Sequence, residues 1–219
     1  MEARYRLGRT LILRDNAEAA EAPLREALDV CVELGHELTQ IVAFTLGVCL
    51  KHGRKYAEAV PLFRQSLELC TLELGAEHAD TRRARRELAR SLSYLQDAEA
   101  EGLYRQVVAA ELAANGREHL ATLRVQCELL DVLSCVCNKF GEAEALGQEL
   151  LSTSRALYGA AHPETLDLMC ALARVIYKQG RLEEAEAFCK ETLGLAETAL
   201  GAAHSLTLWT RQLMIRVLF

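Results

Sequence analysis

The feature of this 219-residue chain that most constrains its fold is an internal repeat. Five of the six histidines stand three residues before a threonine: His36/Thr39, His78/Thr81, His119/Thr122, His162/Thr165 and His204/Thr207, at intervals of 42, 41, 43 and 42 residues. A glycine keeps the same period, at Gly35, Gly75, Gly116, Gly159 and Gly201. Two independent landmarks with one period make the chain an array of one supersecondary unit. A unit this small buries its apolar face only by stacking on its neighbours.

Each unit reads as two helices. In the fifth, Thr165 to Gln179 carries Leu168, Leu172, Val175 and Ile176 on one stripe. Gly180-Arg181 breaks that helix, and Leu182 to Leu200 follows with Ala185, Phe188, Leu193 and Ala196. Spacings of three and four put these residues on one helical face. Pro163 suits a first turn and Gly201 a helix end. Composition agrees, because 33 alanines, three prolines and 5% aromatic residues leave little material for a β-sandwich or barrel. An apolar content of 51% with a net charge of −6 excludes a disordered chain.

Several function classes drop out on bulk grounds. A chain with pI near 5.6 is unsuited to nonspecific nucleic-acid binding, which needs basic surface to displace counterions. The longest apolar run, Ile41 to Leu50, falls short of the ~20 residues that span a bilayer. Met1 to Arg6 lacks the apolar stretch of a signal peptide. The expectation is a cytoplasmic protein with neither a nucleic-acid nor a membrane partner. The eight cysteines (Cys31, Cys49, Cys70, Cys127, Cys135, Cys137, Cys170 and Cys189) contain no C-x-x-C pair. They read as reduced, small apolar residues. Histidines in equivalent positions of stacked repeats lie at least a helix-packing distance of ~8–10 Å apart, too far to share one zinc. They read instead as helix-start residues that hydrogen-bond the turn between repeats. No Gly-rich phosphate loop, G-x-S-x-G or H-E-x-x-H is present, so no catalytic residue, cofactor or metal is expected and the chain reads as a non-enzyme.

The residues also carry a family resemblance. His162-Pro163-Glu164-Thr165-Leu166, then Leu172-Ala173, Gly180-Arg181, Glu183-Glu184-Ala185-Glu186 and Leu200-Gly201 resemble the tetratricopeptide (TPR) repeats of kinesin-light-chain type. The second unit keeps the pattern in Leu46-Gly47, Tyr56, Ala59, Phe63 and Leu67. The resemblance implies an all-α fold, a right-handed TPR superhelix (α-solenoid) of about five helical hairpins plus a C-terminal helix. The whole chain, 1–219, reads as one repeat domain with repeats near 1–35, 36–77, 78–118, 119–161 and 162–203, and a final helix over 204–219. Small residues recur at two positions: Gly8, Gly47, Ala89 and Ala173 at one, Ala20, Ala59, Ala100, Ala143 and Ala185 at the other. Leu130 interrupts the first series, which predicts a splayed or shifted fourth hairpin.

In folds of this type the first helix of each hairpin lines a concave groove. Offsets of +2, +5, +9, +12 and +13 from each threonine give the inward-facing candidates. The chosen set is Phe44, Val48, Lys51, Arg83, Arg86, Arg90, Tyr94, Arg124, Asp131, Arg174, Tyr177, Lys178, Trp209 and Arg216, with Cys127 and Asp167 at the same offsets. It predicts a basic groove beside an apolar pocket, and a protein or peptide partner with an acidic segment, because arginine makes forked hydrogen bonds to carboxylates. The competing reading is a solvated face with compensating acids. Kinesin-light-chain-like repeats carry paired asparagines before the Leu-Ala; here the corresponding pairs, Phe44-Thr45, Arg86-Glu87, Cys127-Glu128, Cys170-Ala171 and Gln212-Leu213, contain none. The leading function is therefore an adaptor or scaffold without an implied motor-cargo role. Two alternatives stand beside it. One is an assembly subunit packing through repeat ends or the convex face, including self-association through the apolar helix ending Met214, Ile215, Val217, Leu218 and Phe219. The other is a regulatory TPR fragment of a larger multidomain protein.

Overall fold

The structure is a computed structural model that describes residues 1–14 and 16–218; Phe219, expected in the terminal helix, lies outside the described residues. Among the described residues there are eleven α-helices and no strand. They are α1 (Glu2–Leu13), α2 (Ala17–Glu33), α3 (Thr39–His52), α4 (Tyr56–Leu74), α5 (Ala79–Tyr94), α6 (Glu99–Asn115), α7 (Leu120–Cys135), α8 (Phe140–Tyr158), α9 (Pro163–Lys178), α10 (Leu182–Leu200) and α11 (Ser205–Leu218). Two compact units divide the chain, residues 1–110 and residues 111–219. In the first, helices pack on their sequence neighbours from α1 through α5, and α3 also touches α1 and α5. In the second, the same neighbour packing runs from α7 to α11, and α9 also touches α7 and α11.

In three of the five repeats the landmarks that set the period form one hydrogen-bonded turn, while Thr39 bonds the carbonyl of His36 and Thr165 the Ser154 hydroxyl. His78, His119 and His162 cap α5, α7 and α9 with extended backbone, and each ring Nδ1 accepts from the N–H two residues on. The Nδ1 atoms of His36 and His204 likewise accept from the N–H two residues on, at 3.1 Å from Leu38 N and 3.2 Å from Leu206 N. The threonine three residues later is fully buried in Thr81, Thr122 and Thr207. Its hydroxyl donates to the carbonyl of the turn glycine: Thr81 to Gly75 at 2.7 Å, Thr122 to Gly116 at 2.8 Å, Thr207 to Gly201 at 2.9 Å. A buried hydroxyl without such a partner would be costly, which ties the threonine to the glycine. Gly75 itself sits at φ 92° and ψ 163°, a region that side-chain-bearing residues avoid.

Close approach within each hairpin explains the small residues. A Cβ on Gly8 would lie 2.4 Å from Leu24, and one on Gly47 would lie 2.8 Å from the Phe63 ring. Ala20, Ala59, Ala100, Ala143 and Ala185 have no exposed surface. The reason Leu130 fits into its hairpin lies in the partner helix. Leu130 is fully buried against Gly147, whose missing Cβ would sit 2.7 Å from the leucine and 2.4 Å from Leu172. In the first two hairpins the first helix is small and the second large, Gly8/Leu24 and Gly47/Phe63; α7 and α8 exchange the two roles.

Two predictions follow from this packing and its turns. Gly147→Leu should cost ~1–3 kcal/mol in denaturant unfolding by overpacking, and adding Leu130→Ala should recover part of that loss. The turn inside three hairpins holds a non-glycine residue at positive φ: Arg54 at 60°, Gln96 at 59° and Asn138 at 54°. The equivalent turn of the fifth hairpin has Gly180. Replacing Gln96 by glycine should therefore raise stability by about 0.5–1 kcal/mol, measured by the shift of the unfolding midpoint.

Candidate functional site

Both units carry a cavity over the exposed face of their first helices. In residues 1–110 a cavity of about 440 Å³ is lined by Tyr5, Arg9, Ile12 and Leu13 of α1, by Ile41, Phe44, Thr45 and Val48 of α3, and by Arg83 of α5. A smaller one of about 180 Å³ shares Ile41, Phe44 and Arg83 and is closed by Gln40, Ser66, Cys70 and Asp80. Phe44 is held edge-on to the buried Phe63 at 5.6 Å, which fixes the ring, and the Arg83 guanidinium lies 4.6 Å above its centroid. Among the described residues neither Arg9 nor Arg83 forms an ion pair with a carboxylate. This site is apolar at its floor and cationic at its rim.

The remaining candidates of this unit do other work. Lys51 is largely buried and bonds Glu87 at 2.7 Å, and Arg90 approaches the same carboxylate at 3.2 Å. Two cations thus converge on one acid between α3 and α5. Arg86 is half-buried on α5. Tyr94 stacks on Tyr56 of α4 at 4.4 Å, away from the cavity.

In residues 111–219 a cavity of about 490 Å³ lies between α7, α9 and α11. Asp131, Arg174 and Trp209 of the expected set line it, together with Cys127, Pro163, Glu164, Asp167, Ala171, His204, Ser205 and Leu206. Arg174 bonds Asp131 and lies 5.4 Å from the Trp209 ring centroid, with its Nε buried and without a hydrogen-bond partner. Arg124 is clasped by Glu164. Lys178 donates to the Ser134 carbonyl at 3.2 Å, and Arg216 stacks over Tyr177 at 5.8 Å. None of these last four lines the cavity. Two cations of the expected basic groove are thus paired with acids, Arg124 with Glu164 and Arg174 with Asp131. Glu87 and Glu164 lie at offsets +6 and −1 from their threonines, outside the series that selects inward-facing positions.

What the cavity does expose is a carboxylate. Asp167 is exposed on the wall of the cavity. Loss of hydration, followed by repulsion from Asp131 and Glu164, raises its pKa to about 6, with Arg174 pulling the other way. Burial likewise lifts Asp131, against the lowering pull of Arg174. The thiols of Cys127, Cys170 and Cys189 are pushed up by burial, Cys127 well above its ordinary value, Cys170 to about 12 and Cys189 to about 11, so these three stay protonated at neutral pH. No three His, Cys, Asp or Glu side chains among the described residues converge as a metal site. No helix among them is long and apolar enough to cross a membrane.

The raised Asp167 pKa is a statement about stability. The folded state binds this proton more tightly than an unfolded chain, whose carboxylate titrates near 3.8. Stability is thus lost as pH rises from that value through about 6, and stays lower above it. Asp167→Asn should stabilise the protein at neutral pH by about 1 kcal/mol, a figure reduced for solvent screening, and by nothing near pH 4. Urea unfolding at both pH values checks this.

Known structures and families agree with this architecture. No curated protein matches the chain in sequence. A Podosopora anserina protein assigned as a kinesin light chain, with nearly identical TPR-like repeats, superposes with a TM-score of 0.79 over 90% of this chain and 94% of its own, at 21% identity. BtubC (BKLC) from P. vanneervenii gives 0.72 over 90% and 80% at 18% identity. A Rap protein complexed with Competence and Sporulation Factor gives 0.57 over 98% and 62% at 11% identity. At these identities the likeness establishes the fold. The tetratricopeptide repeat family model matches residues 38–110 and 131–198, more than half of the sequence, and the chain belongs to the tetratricopeptide repeat family.

Proposed function

We propose that this chain is a protein-interaction scaffold that binds a segment of a partner protein on the exposed face of its first helices. The observation that carries this reading is the cavity over α1, α3 and α5. There a fixed aromatic ring and aliphatic side chains lie between two arginines that no carboxylate among the described residues satisfies. Exposed apolar surface framed by charge marks interaction sites. An apolar residue next to an aspartate or glutamate is the complementary partner chemistry, the carboxylate taking the forked donors of Arg83 or Arg9. The Rap protein, solved in complex with Competence and Sporulation Factor, supports a binding role for such a fold.

Phe44→Ala combined with Arg83→Glu should weaken a partner recovered by affinity capture by at least tenfold, or about 1.4 kcal/mol. Arg83 is exposed, whereas Phe44 is half-buried against Phe63, so affinity is compared under conditions where urea unfolding shows the variant fully folded. Unchanged affinity would remove this face from the account.

A further inference from the structure

We propose that the cavity between α7, α9 and α11 is a subsite for a cationic side chain, an arginine carried by a bound protein segment. The inference rests on the reading that first-helix faces take such segments, and it assigns the second unit a ligand charge opposite to that favoured by the first.

The charge balance inside the cavity selects the occupant. Three carboxylates line it, but Glu164 is clasped by Arg124 and Asp131 by Arg174. Asp167 is left without an ion-pair partner among the described residues. An anionic ligand finds no unused cation, since the Arg174 guanidinium is already spent on Asp131 and on the Trp209 ring. A purely apolar ligand would cover Asp167 and strip its remaining hydration with no compensation. A metal ion would need several converging ligands, which the described residues lack. A guanidinium answers each constraint. It is weakly hydrated, so it tolerates walls built from Leu206, Ala171 and Trp209, and its several donors can serve Asp167 while others face water.

The same carboxylate weakens the fold when charged, since loss of hydration and its acidic neighbours raise its pKa to about 6. A residue that costs stability at neutral pH and recovers it with a cation is the pattern of a binding position. The groups facing it are Asp131 and Glu128 from α7, Glu164 and Arg174 from α9, the protonated Cys127 thiol, and His204 at the start of α11. His204 Nδ1 accepts from Leu206 N. Protonation of Asp167 removes the one uncompensated negative charge, so binding of a cation should fail as the pH falls through about 6.

Trp209 lines the cavity and is the chain's single tryptophan, so its emission reports occupancy directly. The probe is the peptide acetyl-Gly-Ala-Arg-Ala-Gly-amide, titrated to millimolar concentration, with the citrulline-containing peptide as the isosteric uncharged control. The expected result is a saturable change in tryptophan emission at about pH 7.5 with the arginine peptide, at least about tenfold weaker with citrulline, and weakened about tenfold at pH 5. Asp167→Asn should reduce the arginine response to the citrulline level and abolish its pH dependence, while Asp167→Glu should keep both. The subsite is overturned by an absent arginine response, by equal responses to the two peptides, or by an Asp167→Asn protein that binds arginine with the original pH profile. A captured partner separates this from the broader reading. If it loses affinity for Phe44→Ala/Arg83→Glu but not for Asp167→Asn, the cationic subsite fails and the interaction face stands.

Discussion

Everything in this protein depends on how closely the two helices of each hairpin approach. At the crossing one helix must contribute almost no side chain, because the other contributes a large one: Gly8 under Leu24, Gly47 under Phe63, and Gly147 under Leu130. The small residue is not a passive gap. It lets the opposing leucine or phenylalanine bury completely, and burial of that size contributes about 1.5–3 kcal/mol per side chain. Once the hairpin closes in this way, the first helix has one face turned to its partner and another left open. The histidine–threonine–glycine turn then fixes where the next hairpin begins. Stability in such arrays accumulates from neighbour to neighbour, so each crossing and each turn supports the ones beside it.

The open faces differ because charge on them is settled locally. Cations at inward offsets are mostly neutralised by acids on the adjacent first helix: Lys51 by Glu87, Arg124 by Glu164, Arg174 by Asp131. What remains for a ligand is the residue of that cancellation. Beside Phe44 it is positive, through Arg9 and Arg83; beside Trp209 it is negative, through Asp167. The net charge of −6 says nothing of either. A repeat protein can in this way offer different chemistry from one copy of its unit to the next without altering the backbone that presents it.

Most of the fold was legible because its constraints are local and recur. The helix Leu182–Leu200 ends where the glycine and the apolar stripe say it should, and α9 starts at the proline that suits a first turn. Leu130 shows the limit of that reading. Judged in its own column it was an anomaly; its compensation, Gly147, lies in the partner helix, and a single column of the repeat carries no information about the volume opposite. The site was legible in direction but not in charge. Counting from the threonines found Phe44, Arg83, Asp131, Arg174 and Trp209, yet two of the acids that neutralise cations, Glu87 and Glu164, sit at other offsets, and ion pairing between stacked helices depends on which rims meet. Tyr5, Arg9, Ile12 and Leu13 escaped for a simpler reason, since α1 precedes the first histidine–threonine landmark and the count had no origin there.

The central claim is that the exposed faces of the first helices are the working surface. Amide hydrogen exchange of the protein alone and with a partner obtained by affinity capture tests it most directly, because protection is read helix by helix. The account predicts that added protection concentrates in α1, α3 and α5 or in α7, α9 and α11, on the residues that line the two cavities. Protection confined to the second helices, α2, α4, α8 and α10, or to the outer side of α11 alone, would contradict it and favour an assembly subunit that packs through its other surfaces.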